Sequence, residues 1–203
     1  MYATDAAAGN ELSRLKCHTE ILDVRDPQSI SDFMNNTVDH SRPVDLLLNA
    51  AGVMAPYRED TLEDTSRTIL QKTFDTNAFG PLLLTQALLP DLLHSDRPRV
   101  VIVSPGMESV GHDESGNSIA YHASMAAVHS IGKSMAVDLK SRGVVVTLLH
   151  PGCIRSELDS RTHNNPYAIE PEEAAEKLWE ILKTKHIRDT GKFWHREGQQ
   201  LLW

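Results

Sequence analysis

The chain of 203 residues suits one domain with one core, and 40% apolar against 24% charged residues places it among globular proteins. Its 28 acidic residues outweigh 20 basic ones, and no block of basic residues occurs, which excludes a protein whose affinity comes from neutralising nucleic-acid phosphates. No run approaches ~18 consecutive apolar residues, and residues 1–15 lack the basic start and apolar stretch of a secretion signal, so no membrane partner is expected. Two cysteines, Cys17 and Cys153, are too few for a disulfide framework, and the histidines show no metal-site spacing. A cytoplasmic protein without a metal is expected.

In chain order, residues 1–4 read as a short strand, 8–17 as a helix and 19–24 as a second strand, with Pro27 soon after. A helix over 28–40 leads to Pro43 and to an apolar strand at 44–50. The next stretch, 61–94, has helical periodicity but is too long for an ordinary helix, and Gly80-Pro81 inside it predicts a kink or break. Strand 99–104 ends at Pro105-Gly106 and opens a polar loop; a long helix follows over 120–142. Strand 144–149 ends at Pro151-Gly152 and opens a second loop over 153–170. Pro171 followed by Glu172 and Glu173 marks the start of a helix over 171–185, and 192–195 is the last strand. Near-continuous apolar strands alternating with helices predict an α/β fold, a doubly wound and mostly parallel sheet covered on both faces, in one domain over 1–203. Both long loops leave the carboxyl ends of parallel strands, where open α/β sheets bind ligands.

Several strings then match one family. LLLNAAG (46–52), NAFGP (77–81), RVVIVS (99–104), YHASMAAV (121–128), AVDLKSRGVVVTLLHPGCIRSEL (136–158) and GKFWHREGQQLLW (191–203) resemble the short-chain dehydrogenase/reductases. The last two strings look most like the branch containing the bacterial C-factor and the insect carbonyl reductase sniffer. The resemblance implies a Rossmann-like fold and NAD(P)-dependent redox chemistry on alcohols and carbonyls. It places the family's catalytic Asn at Asn77 and its Tyr at Tyr121. The turn near the adenosine falls at Asn49, Ala50, Ala51 and Gly52, and the acidic residue beside the adenine at Asp23. The Pro-Gly and hydroxyl near the nicotinamide fall at Pro151, Gly152 and Ser156. The resemblance also implies a homodimer through helices 61–94 and 120–142. Ala120, Ala123, Ala126 and Ala127 with Val128 and Ile131 keep a small-to-apolar face suited to that contact.

Three departures from the family pattern shape the functional expectation. Met125 stands where the family has Lys, one helical turn from Tyr121. A thioether neither favours a phenolate nor holds a ribose, so Tyr121, with an ordinary pKa of about 10, is expected as a proton donor and a poor base. Pro105 occupies the family's serine position, leaving Ser104 one residue early and Ser109 in the loop as candidate hydroxyls. The family's first strand, glycine-rich phosphate turn and helix have no counterpart, and Gly9 alone does not supply the N–H groups that hold a pyrophosphate. A truncated family domain of about six strands is expected, with 1–4 moved into the vacated central slot in the order 2-1-3-4-5-6. A strand lent by a second chain is the rival arrangement.

The expected site has Tyr121, Asn77 and Ser104 as catalytic residues and Met125, Pro105, His112 and Cys153 around the substrate. His112, Asp113 and Glu114 form a compact polar cluster, and Cys153 reads as an inert small group. Asp23, Asn49, Ala50, Gly52, Pro151, Gly152 and Ser156 form a vestigial NAD(P) site that holds no cofactor tightly. The leading expectation is a cofactor-independent isomerase, cyclase or lyase acting on a small organic metabolite. The alternatives are a pseudoenzyme that binds a ligand or a family partner, and an NAD(P)H-dependent carbonyl reductase whose N-terminus lies upstream of Met1.

Overall fold

The two most continuously apolar strands of the chain become the centre of its sheet. In the computed structural model, which describes residues 2–3, 18–56, 58–105 and 116–203, β3 (Leu46–Asn49), β4 (Arg99–Val103), β5 (Val145–His150), β6 (Lys192–His195) and β7 (Gln200–Leu201) form one five-stranded sheet in that order. All neighbours are parallel except β6 and β7, an antiparallel pair. Val100 lies opposite Val146 and Ile102 opposite Leu148, so the register joins apolar residues of one face.

Helices cover both faces, as a doubly wound sheet requires. Leu88 and Leu92 of α3 (Gly80–Leu93) and Val128 and Met135 of α4 (Ile119–Leu139) pack with Val100, Ile102, Val146 and Leu148. Leu182, with Leu178 and Ile181 of α5 (Pro171–Thr184), packs with Val101 and Leu149 on the other side. The period-two alternation of side chains along a strand divides these sets. Gly132 lets α4 lie close to the sheet: a Cβ there would stand 2.9 Å from Leu148 Cδ1 and 3.3 Å from Ile102 Cδ1.

Helix starts follow local chemistry. Asp26 caps α1 (Pro27–Asn36) by accepting from the Gln28 N–H at 2.9 Å, and Ser66 caps α2 (Arg67–Phe74) through the Ile69 N–H at 3.2 Å. The break foreseen at Gly80-Pro81 takes the form of a π-helical turn, Asp75–Phe79, immediately before α3. Pro81 has no N–H for the Asn77 carbonyl, and Gly80 bonds back to Asp75, five residues earlier. Among the described residues no helix is long and apolar enough to cross a membrane.

Of the expected order 2-1-3-4-5-6, the pair 2-1 and the run 3-4-5-6 are formed, while among the described residues the link between 1 and 3 is not. β1 (Tyr2–Ala3) and β2 (His18–Thr19) pair in parallel with each other. Among the described residues neither they nor any other strand joins the edge of β3 away from β4. The expected strand over 19–24 stops at Thr19 because Leu22 and Val24 turn into the core. Val24 packs so closely on the start of α3 that a Cβ on Gly80 would meet its Cγ2 at 2.7 Å. That packing draws the backbone away from a ladder position.

Candidate active site

The carboxyl ends of β3, β4 and β5 and the first turn of α4 bring most of the expected residues together. Asn77 sits in the π-helical turn, 2% exposed. Its Oδ1 accepts from the Val53 N–H at 2.8 Å, and its Nδ2 donates to the Val53 carbonyl at 2.9 Å and to Ser124 Oγ at 3.0 Å. Ser124 Oγ in turn donates to the Tyr121 carbonyl at 2.7 Å. The Asn77 amide therefore braces the turn after β3 against α4. All three bonds of its side chain go to the protein in this structure.

Tyr121 stands in the first turn of α4, and Met125 lies one turn on; both are buried. Ser104, expected as a catalytic hydroxyl, is drawn into the core. It is fully buried, its Oγ lies 2.7 Å from His129 Nε2 and 3.6 Å from Met125 Sδ, and its N–H donates to the Leu149 carbonyl. The hydroxyl faces the core between β4 and α4. His129 was invisible as a partner in the motif pattern, although it continues the face of Tyr121 and Met125 at the next four-residue step. Burial lowers its pKa to about 4.

The turn after β5 is held from the far end of the chain. Gly152 has φ +74°, and a Cβ there would run into the guanidinium of Arg196. Arg196 Nη1 donates to the Pro151 carbonyl at 2.7 Å and to the Cys153 carbonyl at 3.4 Å. Its Nε donates to Glu197 at 3.3 Å, and Glu197 accepts from Lys177 of α5 at 2.8 Å, which also pairs with Glu173 at 3.2 Å. His150 precedes the turn; burial, followed by the charges of His195 and Arg196, lowers its pKa to about 4. Replacing Gly152 by Ala is expected to displace Arg196 and lower stability by about 1–3 kcal/mol, the usual cost of a strained backbone position. An unchanged thermal midpoint would refute the clamp.

The remaining residues divide clearly. Cys153 is half-buried, and its Sγ accepts from Asn165 Nδ2 at 3.5 Å. Ser156 lies in the loop beyond it, where its N–H donates to Thr162 Oγ1 at 3.2 Å. Ala50 and Gly52 are exposed after β3, and the buried amide nitrogen of Asn49 has no hydrogen-bond acceptor. Asp23 is taken up by Arg25, whose Nε and Nη2 donate to its two carboxylate oxygens at 2.9 and 2.6 Å; that bonding, more than any other influence, lowers its pKa. Pro105 closes β4, half-buried. Ser109, His112, Asp113 and Glu114 lie outside the described residues. A recess of about 140 Å³ borders the turn after β3, lined in part by Val53, Met54, Ile69 and Lys72, and Tyr121 does not line it.

Comparison with known proteins follows the same frame. A family model described as short chain dehydrogenase matches residues 3–166. The chain is 32% identical over 162 residues to the C-signal protein of Myxococcus xanthus, covering 79% of this chain and 93% of that one. It is 28% identical over 182 residues to 1-hydroxy-2-glutathionyl-2-methyl-3-butene dehydrogenase of Rhodococcus sp. (strain AD45), covering 90% and 78%. In fold it is similar to the carbonyl reductase Sniffer of D. melanogaster, with a TM-score of 0.89 and 20% identity, and to an NADPH-bound carbonyl reductase from chicken fatty liver, with 0.86 and 22%. Each of these likenesses covers 100% of this chain and 87% of the other.

Proposed function

Because the chain belongs to the short-chain dehydrogenase family, we propose that it is an oxidoreductase that reduces the carbonyl group of a small organic molecule with NAD(P)H. The observation that carries this reading is the buried Tyr121 in the first turn of α4, beside the carboxyl ends of the central strands. The leading expectation from sequence, a cofactor-independent isomerase, cyclase or lyase that has lost hydride transfer, is overturned. The family match spans 3–166, a relative named as a dehydrogenase covers 90% of the chain, and a neighbour in fold is a carbonyl reductase with NADPH bound. The carbonyl reductase alternative accommodates all three.

The described residues fit the nicotinamide end of such a cofactor. The Pro151–Gly152 turn stands toward that end, and the exposed turn at Ala50, Ala51 and Gly52, with the spare amide donors of Asn49, stands toward the adenosine. They do not fit its pyrophosphate, since the described residues include no glycine-rich strand-to-helix turn. Bound NAD(P)H would supply a hydride for the carbonyl carbon. Tyr121 supplies the proton to the carbonyl oxygen as negative charge develops there, and solvent returns a proton to the phenolate. Met125 suits this direction. It sets a thioether, not a cation, one turn from the phenol.

The proposal extends to a homodimer through α2, α3 and α4, where Leu70, Leu83 and Val137, with Phe79 of the π-helical turn, are exposed. Light scattering on the purified chain checks that part. A cytoplasmic enzyme with a small-molecule substrate and no nucleic-acid partner is consistent with the acidic charge and the two cysteines. Titration of NADPH and NADH by fluorescence, followed by turnover of a panel of aldehydes and ketones, tests the activity. Consumption of one nicotinamide with formation of the alcohol is expected; neither binding nor turnover across the panel would overturn the proposal.

A further inference from the structure

Asp60 has no role in the motifs, yet it is a fully buried carboxylate. Its oxygens meet the start of the helix that bears the phenol. The Ala120 N–H donates to Oδ1 and Oδ2, each at 3.0 Å, and the Tyr121 N–H donates to Oδ2 at 3.3 Å. Thr65 Oγ1 donates to Oδ1 at 2.9 Å, fixing the carboxylate from its own loop. The first N–H groups of an α-helix have no acceptor within the helix, and a nearby side chain ordinarily caps them. Here Ser118, the residue before α4, is left-handed at φ +46° and its side chain makes no capping bond. A residue 60 positions upstream does this work, and its charge complements the positive end of the helix dipole.

We infer that Asp60 is a positioning residue for Tyr121, an inference that rests on Tyr121 being the proton donor proposed above. The Tyr121 backbone is gripped on both sides: its N–H by Asp60, and its carbonyl by Ser124, which Asn77 holds. The first bond comes from the loop before α2; the second lies within α4 and is tied to the π-helical turn through Asn77. Together they fix the origin of the phenol relative to β3 and β4. Displacement of a catalytic group by about 1 Å costs on the order of 10²-fold in rate. Loss of the carboxylate therefore acts on the chemical step.

The test is Asp60→Asn, alone and combined with Tyr121→Phe. The single variant is expected to lower kcat by about 10- to 100-fold with KM and NADPH affinity within about threefold. In the Tyr121→Phe background the same change should leave the residual rate unaltered, because its effect passes through the phenol. Equal losses in both backgrounds, or a wild-type kcat, would overturn the inference. Amide hydrogen exchange at Ala120 and Tyr121 gives a second reading: slow in the wild type, faster in Asp60→Asn, with exchange in the central strands unchanged. Should Asp60→Asn not fold, Asp60→Glu carries both measurements, with the charge kept and its reach altered. If the wild type reduces no carbonyl, the proposed function fails while exchange still decides the helix-start contact; unchanged protection then rejects Asp60 as well.

Discussion

Tyr121→Phe is expected to lower carbonyl reduction by about 10²- to 10⁴-fold, the usual contribution of a positioned general acid. The substitution removes one oxygen and keeps the ring that packs in the core with Met125 and Val128. The thermal midpoint and NADPH affinity should therefore change little while kcat collapses. With Met125 in the next turn, no lysine is there to serve as a substitute proton source. Steady-state kinetics on the best substrate, alongside a melt, checks this. Normal turnover in the phenylalanine variant would remove Tyr121 from the chemistry.

Acid is expected to destabilise the protein through His129 and His150 before its carboxylates titrate. Both have pKa values lowered to about 4, in each case first by burial. In the unfolded chain they titrate near 6.5. Above that value both states are neutral and the stability is fully present. As pH falls below it, the unfolded chain takes up protons that the folded state refuses, and stability is lost until about pH 4. The slope approaches about 1.4 kcal/mol per pH unit for each histidine, roughly 3 kcal/mol apiece across the window. His40 acts elsewhere. Its bond to Asp91 raises its pKa, so its contribution is fully present below 6.5 and is lost only as pH rises through the higher value. Urea unfolding at pH 6.5 and 5 isolates the buried pair. The drop in unfolding free energy should shrink in His150→Phe, and equal values at both pH in the wild type would refute the assignment.

Much of the frame is legible from local chemistry. Pro171-Glu172-Glu173 starts α5 where the dipole argument places it, and the apolar runs at 99–104 and 144–149 become β4 and β5 within a residue of either end. Gly80-Pro81 announces a break, but its π-helical form depends on which carbonyl Gly80 finds. The supports of the site are different in kind. Asp60 with Ala120, Ser104 with His129, and Arg196 with Pro151 join residues 60, 25 and 45 positions apart. No periodicity encodes such pairs, since each polar atom is satisfied by whatever the fold delivers beside it. That is why Ser104 reads as a catalytic hydroxyl in the motif and lies in the core in three dimensions. It is also why Asp60, in a polar loop, attracts no notice in the sequence. Residues 19–24 mislead for a related reason: Leu22 and Val24 carry strand-like side chains but find their burial in the core, Val24 against the start of α3.

The clamp on the Pro151–Cys153 turn ends in the exposed ion pairs of Glu197, Lys177 and Glu173, whereas the grip on Tyr121 consists of buried hydrogen bonds. Mobile ions screen surface charges separated by more than ~8 Å at physiological strength and reach buried contacts far less. These ion pairs, at 2.8–3.2 Å, lie well inside that length, so added electrolyte weakens the outer end of the clamp only modestly and reaches the buried grip less still.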